Sequence, residues 1–490
     1  MRKYTLERAR AYEKKAAAAI SAHQRPAYHL SPITGWMNDP NGFSYYNGEY
    51  HLFYQYHPYK TSWAAMHWGH AVSHDLLHWR YLPAALAPDQ DYDSLGCFSG
   101  TAATLPDGRQ LLIYTGVHRG RGGHESQAQC VAVGDGLDYR KAAQNPVISE
   151  DNLPQELSPY DFRDPRIWKT EDGFRCIVGA CTRKEHLGII LQYASKDGLD
   201  WRFIGELARN DGSHGRMWEC PDFFPLDGRW VLSVSPQDML PVPFKYVNGN
   251  GTVCMIGDLD ETGTRFLCTD DQPVDYGMDF YAPQTIQTPD GRTVMIAWMQ
   301  HWDTVGHPDE PDIPWHNQMT VPREIHICSG KLLQWPVREL DTLRKNPLVR
   351  KNLPVSGDLD LPELRGRTTD IVLSVRGASE HLSCPGFTLC VARDADFRTE
   401  LHYSAAEGTL TLDRTWSGSR RNFSHIRTCR ISEKNGTIRL RVLLDRFSLE
   451  VFANGGEEAM TAVIRTGLSA DRISFHAEGD VLLDLEKYDL

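Results

Sequence analysis

The segment Asn47–Tyr56, NGEYHLFYQY, opens on the dipeptide Asn-Gly and continues as an unbroken apolar and aromatic run. Asn-Gly marks a tight hairpin, because both central residues of a type I′ turn need φ > 0, which Asn and Gly adopt at low steric cost. The same phrase recurs four times. Asp107-Gly108, Asp172-Gly173, Asp227-Gly228 and Asp290-Gly291 are each followed within a few residues by such a run: RQLLIYTG, FRCIVGA, RWVLSVS and RTVMIAWM. Successive turns lie 60, 65, 55 and 63 residues apart.

A second marker keeps the same period. Ser73-His-Asp-Leu-Leu-His-Trp79, Gly134-Asp-Gly-Leu-Asp-Tyr139 and Ser195-Lys-Asp-Gly-Leu-Asp-Trp201 place Asp75, Asp135 and Asp197 at intervals of 60 and 62 residues. Five units of this length, each built around a central hairpin, predict an all-β chain whose main body is a five-bladed β-propeller with four strands per blade. An ordinary β-sandwich with coincident turns is the competing reading, and the second marker weighs against it.

The period stops after Trp335-Pro336. The polar stretch 338–360, with Pro347, Pro354 and Gly357, reads as a linker. From Leu361 short strands of alternating polarity follow, among them TLTLDRTW, TIRLRVLLD and FSLEVFA, with Asn454-Gly455-Gly456 as a turn, which is the pattern of a C-terminal β-sandwich. The first residues are alanine-rich, carry Glu7 and Glu13, and have only Ala16 to Ile20 as an apolar run, so they read as a short helical extension and not as a secretory signal. The expected division is 1–27 extension, 28–337 propeller, 338–360 linker and 361–490 sandwich.

Composition narrows the function classes. A formal charge of −12 argues against nucleic acid as a partner, and no stretch approaches the roughly 20 apolar residues of a spanning helix, so no membrane role is expected. Mean hydropathy is −0.45, as in water-soluble globular chains. Eleven scattered cysteines without paired spacing suit neither a disulfide framework nor a zinc site and fit a reducing cytoplasm.

Within the repeat, the residue eight before each turn is Asp39, Ser99, Asp164, Glu219 and Ala282, the last beside Tyr281. Equivalent positions of different blades surround one axis, so three acids in one register should face a common central pocket. Each local sequence has an ordinary reading: Asn-Asp-Pro-Asn-Gly as a turn, Arg-Asp-Pro as a surface ion pair. Their shared register favours the pocket.

Trp36-Met-Asn-Asp-Pro-Asn-Gly42, Phe53-Tyr-Gln55, Met66-His-Trp-Gly69, Phe98-Ser-Gly100, Phe162-Arg-Asp-Pro165, Glu219-Cys-Pro221 and Ser448-Leu-Glu-Val-Phe452 together resemble the invertase and fructanase family of glycoside hydrolases, which includes bacterial sucrose-6-phosphate hydrolases. The resemblance runs from about Tyr28 to the end. It implies a retaining β-fructofuranosidase in which Asp39 is the nucleophile, Glu219 the general acid/base, and Asp164 with Arg163 holds fructose hydroxyls. By the same likeness Asn38, Gln55, Trp63, Ser99 and Cys220 line the fructose pocket, with Phe98 and Trp298 as apolar walls. The sequence departs from many relatives in Trp63-Ala-Ala-Met66, where Gly-Pro is common, at the leaving-group side.

The adjacent Arg163 charge should help keep Asp164 ionised. Neither a metal nor a cofactor is implied. The expected partner is a small fructoside, whether sucrose, sucrose 6-phosphate or a short fructo-oligosaccharide, and homo-oligomerisation is left open. A sugar-binding propeller without catalysis, or a related arabinose- or xylose-polymer hydrolase, is the alternative. The basic loop Val117-His-Arg-Gly-Arg-Gly-Gly-His124 is a candidate phosphate contact through Arg119 and Arg121.

Overall fold

Hairpin chemistry sets the frame. Asn47 and Gly48 have φ of 50° and 85°, and Asp227 and Gly228 have φ of 47° and 81°. These two-residue turns join Tyr46 to Glu49 and Leu226 to Arg229 as the first and second strands of their units. In the third unit Thr170 pairs with Gly173, so the turn is Glu171-Asp172, one residue earlier than the Asp-Gly dipeptide suggests. The turns at Gly108 and Gly291 are longer, closing between Thr104 and Gln110 and between Gln287 and Thr293.

The computed structural model describes residues 4–120, 123–150, 153–305, 313–379, 383–418 and 424–490. Five antiparallel four-stranded blades follow one another along the chain. Their first strands are Gly35–Tyr46, Gly96–Thr104, Leu157–Thr170, Trp218–Leu226 and Tyr281–Gln287. Each first strand touches the first strands of both neighbouring blades, which closes a ring around a central axis. Trp315–His316, from the chain of the fifth blade, pairs in parallel with Gly35 and Trp36 of the first.

The second sequence marker has a local cause. Asp75 Oδ1 accepts the backbone N–H groups of Leu77 and His78, Asp135 Oδ1 those of Leu137 and Asp138, and Asp197 Oδ1 those of Leu199 and Asp200, all at 2.8–3.0 Å. A carboxylate two residues ahead of the turn satisfies two amides that no strand can reach, so the residue recurs at this place in the first three blades.

The stretch 338–360 is not a linker. Arg338–Leu343 is a 3-10 helix, and Lys345–Leu359 is a strand paired along almost its whole length with Arg472–Asp489. The prolines fall at an edge, where a missing N–H costs nothing. Arg472–Asp489 pairs first with Phe387–Arg393, up to Ala477, and from Val481 with Thr369–Gly377. It thus passes from one layer of the sandwich to the other.

The extension forms a helix at Leu6–Ala17, started by Thr5, whose hydroxyl accepts from Arg8 N. It lies on the outermost strand of the first blade, Arg80–Leu86. Buried Glu13 accepts Ala84 N–H at 2.8 Å and Arg10 Nε donates to Ala84 O at 2.9 Å, so the helix caps a free sheet edge. No helix among the described residues is long and apolar enough to cross a membrane.

Propeller and sandwich meet through a buried ionic cluster and a backbone ladder. Buried His29 contacts Asp445 through Nδ1 and Glu450 through Nε2, both at 2.8 Å. Glu450 also takes Arg323 and Val321 N–H, and Arg323 reaches Asp275 at 3.0 Å. Tyr276 N donates to Ala459 O and Met278 N to Thr461 O. At Gly277 a Cβ would stand 2.1 Å from Thr461 N, so no side chain fits between the domains there. Glu450 is the acid of the Ser448–Phe452 motif, and its place is this seam.

Candidate active site

Each first strand is broken by a β-bulge at the same level of its blade. The pairing with the second strand skips from Met37 to Pro40, Phe98 to Gly100, Arg163 to Arg166, Glu219 to Asp222 and Tyr281 to Gln284. A bulge turns side chains out of the sheet's alternation, here toward the axis. Asp164, Cys220 and Ala282, each followed by proline, take left-handed φ of 67°, 47° and 53° in it. Such φ values are costly for non-glycine residues and are held by the surrounding structure.

The three acids therefore do not share one register, as counting back from the turns suggests. Asp39 and Asp164 lie within their bulges, whereas Glu219 is the last paired residue before its bulge, level with Arg163 and Tyr281. A second bulge in the first blade, between Asn41 and Ser44, and the early turn in the third break the equal spacing. Counted from the last paired residue, Glu219, Asp164 and Asp39 stand at positions 0, +1 and +2, and the convergence survives because all three lie in or beside the same bulge.

Around the axis the side chains interlock. Ser99 Oγ donates to Asp39 Oδ2 at 2.8 Å, and the Cys220 thiol lies 3.6 Å from both Asp39 Oδ2 and Asp164 Oδ2. Cys220 N–H donates to Asp164 Oδ2 at 2.9 Å, and Asp164 N–H to Thr115 Oγ1 at 2.9 Å. Asp39 Oδ1 has no hydrogen-bond partner among the described residues. Glu219 is held from two sides: Arg163 Nε donates to Oε1 at 3.0 Å and Tyr281 Oη to Oε2 at 2.7 Å. Arg163 is in turn fixed by Asp161 at 3.1 Å and by Gln127.

Burial dominates the electrostatics. It pushes Asp39 up to about 6, helped by the nearby Glu219 charge and opposed by hydrogen bonds from Ser99, Asn38 and Cys220. Asp164 is raised as well, because burial and the Glu219 charge together outweigh Arg163. Arg163 does favour the ionised form of Asp164, as expected, but burial outweighs it. The guanidinium is 3.9 Å from Asp164 but 3.0 Å from Glu219, so its charge is directed mainly at the latter. Burial among carboxylates also lifts the Cys220 thiol, which stays protonated and can donate.

The rim is aromatic. Trp36 Nε1 donates to Asn38 Oδ1 at 2.8 Å, and Gln55 Nε2 to Cys97 O at 3.0 Å, so both amides are locked. Trp63 is 47% exposed and stands edge-on to Phe98, ring centroids 5.9 Å apart. Trp298 is fully buried, packed behind Trp36, Tyr281 and Trp302. It backs the wall and does not form its surface. That surface belongs to Trp302, part-exposed, stacked on Trp36 at 6.5 Å and edge-on to Trp63 at 6.5 Å. In the basic loop Arg119 donates to Gly123 O at 3.0 Å, its own loop, while Arg121 lies outside the described residues.

Residues 29–336 match the glycosyl hydrolases family 32 N-terminal domain, and residues 339–489 match the family's C-terminal domain. The chain belongs to glycosyl hydrolase family 32. This family 32 chain is 36% identical over 468 residues to a sucrose-6-phosphate hydrolase of Bacillus subtilis, covering 93% of this chain and 92% of that protein. It is 34% identical to a levanase of the same organism, covering 92% of this chain and 68% of the levanase. A variant β-fructofuranosidase of Bombyx mori, solved in complex with sucrose, has a TM-score of 0.84 and 33% identity, covering 99% of this chain and 97% of that one.

For the family 32 chain, sequence reasoning alone reached Asp39, Asp164 and Glu219 but assigned no role to Tyr281, Trp302 or Asp161. Tyr281 had a signal, since the fifth repeat places it beside the counted position. Trp302 had none: it follows Thr293–Trp298, the second strand of the fifth blade, in an irregular loop where no period applies.

Proposed function

We propose that the protein hydrolyses terminal β-D-fructofuranosides with retention of configuration, through a fructosyl-enzyme intermediate on Asp39. The observation that carries this reading is the division of labour between two carboxylates in one buried pocket. Asp39 has one oxygen gripped by Ser99 and Cys220 and the other without a hydrogen bond from the described residues, which suits a nucleophile. Glu219 has both oxygens in hydrogen bonds, which suits a proton carrier whose position must not drift.

In the first step Asp39 attacks the anomeric carbon, the bond to the glycosidic oxygen breaks, and that oxygen takes the proton of Glu219. In the second, water attacks the same carbon, its proton returns to Glu219, and Asp39 leaves as a carboxylate. Two inversions give retention. The Tyr281 hydroxyl is suited to follow this cycle. It lies 2.7 Å from Glu219 and 3.0 Å from Ser235 O, so it can donate to the ionised carboxylate or, when Glu219 carries the proton, accept from it while donating to the carbonyl. Asp164, between Arg163 and the Cys220 amide, is placed to accept fructose hydroxyls. Asn38, Gln55 and Ser99 complete the polar lining, and Phe98 and Trp63 the apolar rim.

The substrates named for the relatives, sucrose 6-phosphate, levan and sucrose, share the fructosyl unit that this floor would read. A cytoplasmic setting belongs to the same proposal and is supported by the eleven cysteines, all free thiols. Proton NMR of the first product released from sucrose should show β-fructose, and Asp39→Asn should lower kcat by about 10⁴-fold or more. α-Fructose as first product, or an Asp39→Asn protein with near-normal turnover, would remove the assignment.

A further inference from the structure

The loop 299–305 carries Trp302 to the pocket mouth, and its two flanking side chains lead away from the pocket to the sandwich. Thr304 N and Val305 N both donate to His301 O, at 3.1 and 2.9 Å, closing a turn whose apex is Trp302. Fixing His301 and Thr304 therefore fixes the direction of the indole.

Thr304 is held first. Its hydroxyl donates to Asp279 Oδ1 at 2.7 Å. Asp279 is fully buried, and its other oxygen accepts Val463 N–H at 2.7 Å and the Arg414 guanidinium, both from the sandwich. Arg414 also donates to Val463 O at 2.8 Å, so the arginine is itself anchored. His301 is held second. It is fully buried, burial pushes its imidazole down to about 4, and its Nδ1 accepts the Asp303 N–H at 3.1 Å. Its Nε2 lies 2.6 Å from Asn248 Nδ2, and Asn248 Oδ1 accepts from Arg427 of the sandwich. Asn250 closes the same side with two hydrogen bonds to Asp303, at 2.7 and 2.8 Å.

We infer that the sandwich positions Trp302 through Arg414–Asp279–Thr304 and Arg427–Asn248–His301, and that Trp302 so placed is the specificity-determining wall for the leaving group. The inference rests on the fructofuranosidase reading above. With Asp39, Asp164 and Glu219 on the floor, the fructosyl ring occupies the floor and the leaving group projects to the mouth, where Trp302 stands edge-on to the half-exposed Trp63, ring centroids 6.5 Å apart. A pyranose ring presents an apolar face to such a wall, whereas a methyl group is too small to span it. Asn248, Asp279, Arg414 and Arg427 are positioning residues: they touch the loop, not the substrate.

The test compares sucrose with methyl β-D-fructofuranoside, which share the fructosyl unit and differ only in the leaving group, using the full-length protein. Asn248→Ala removes one pin at a half-buried loop and leaves the sandwich intact. It should lower kcat/KM for sucrose about tenfold, mainly through KM, and change the methyl fructoside less than twofold. Trp302→Ala should lower kcat/KM for sucrose at least as much, and the double variant should be no worse on sucrose than Trp302→Ala alone. Arg427→Gln, checked for an unchanged melting transition, should reproduce Asn248→Ala from the other domain. Equal losses on both substrates, additive losses in the double variant, or wild-type behaviour of Asn248→Ala would overturn the inference while leaving the activity standing. Release of fructose from neither substrate by the unmodified protein would overturn the fructofuranosidase reading and this inference with it.

Discussion

At the scale of single residues, the pocket spends hydrogen bonds to keep a buried acid usable. Asp39 is pushed up to about 6 by burial first and by Glu219 second, and the Ser99 hydroxyl at 2.8 Å is among the groups that hold it there. The ionised form is the attacking one, so activity is present above that value and lost as pH falls through it. Ser99→Ala removes a donor to the charged form, a hydrogen bond of about 1.5–3 kcal/mol in such settings. The acid limb of kcat/KM should then move upward by about one pH unit or more, as a pH–rate profile on sucrose will measure. An unmoved limb would mean that the limb reports another group. Asp164 shows how proximity in sequence misleads: Arg163 is its neighbour along the chain but directs its guanidinium to Glu219, because the bulge sends the two side chains different ways.

At the scale of elements, one device recurs three times. The aspartate that hooks two backbone amides ends the third strand of a blade and starts the fourth, and it lies on the surface, away from the axis. Its period in the sequence is structural in origin and carries no chemistry. Asp197→Ala should leave kcat on sucrose unchanged and lower stability by about 1–2 kcal/mol, the range for losing a capping acceptor, measured as a shift of the urea midpoint at constant m. The hairpin dipeptides behave less uniformly. Two form the tight turn expected of them, two sit in longer turns, and in the third blade the chain turns one residue early. Strand pairing over eight or more residues outweighs the preference of one dipeptide, so the element was legible where its exact register was not.

At the scale of the whole molecule, the seam between propeller and sandwich is an electrostatic lock with a pH window. Burial alone would lower His29, but its hydrogen bonds to Asp445 and Glu450, with their charges, raise it to about 9. A group raised above its unfolded value of about 6.5 contributes its full stabilisation below pH 6.5, and that contribution is lost as pH rises toward 9. Thermal unfolding of the full chain should therefore show a melting temperature that falls between pH 7 and 9. His29→Gln should be less stable at pH 6 by about 3–5 kcal/mol, because it leaves buried carboxylates uncompensated, and should have a flatter pH dependence. A parallel pair of curves would show that His29 is not charged in the folded state.

The sequence by itself determined the five-fold repeat, the sandwich pattern and the acids of the pocket, because hairpin signals, strand alternation and the residues of a bulge are local and repeat at a fixed interval. It misread 338–360 as a linker, because a strand made of prolines and polar residues is defined by the partner it pairs with, Arg472–Asp489, more than a hundred residues away. It could not rank Trp298 against Trp302, since burial is decided by what packs on top: the first is covered by the second, and the second is held at the mouth by arginines from the other domain. Nor could it say that Arg163 serves Glu219, or that burial outweighs Arg163 at Asp164. These are matters of distance and dielectric, and only the closed ring brings the blades together to set them.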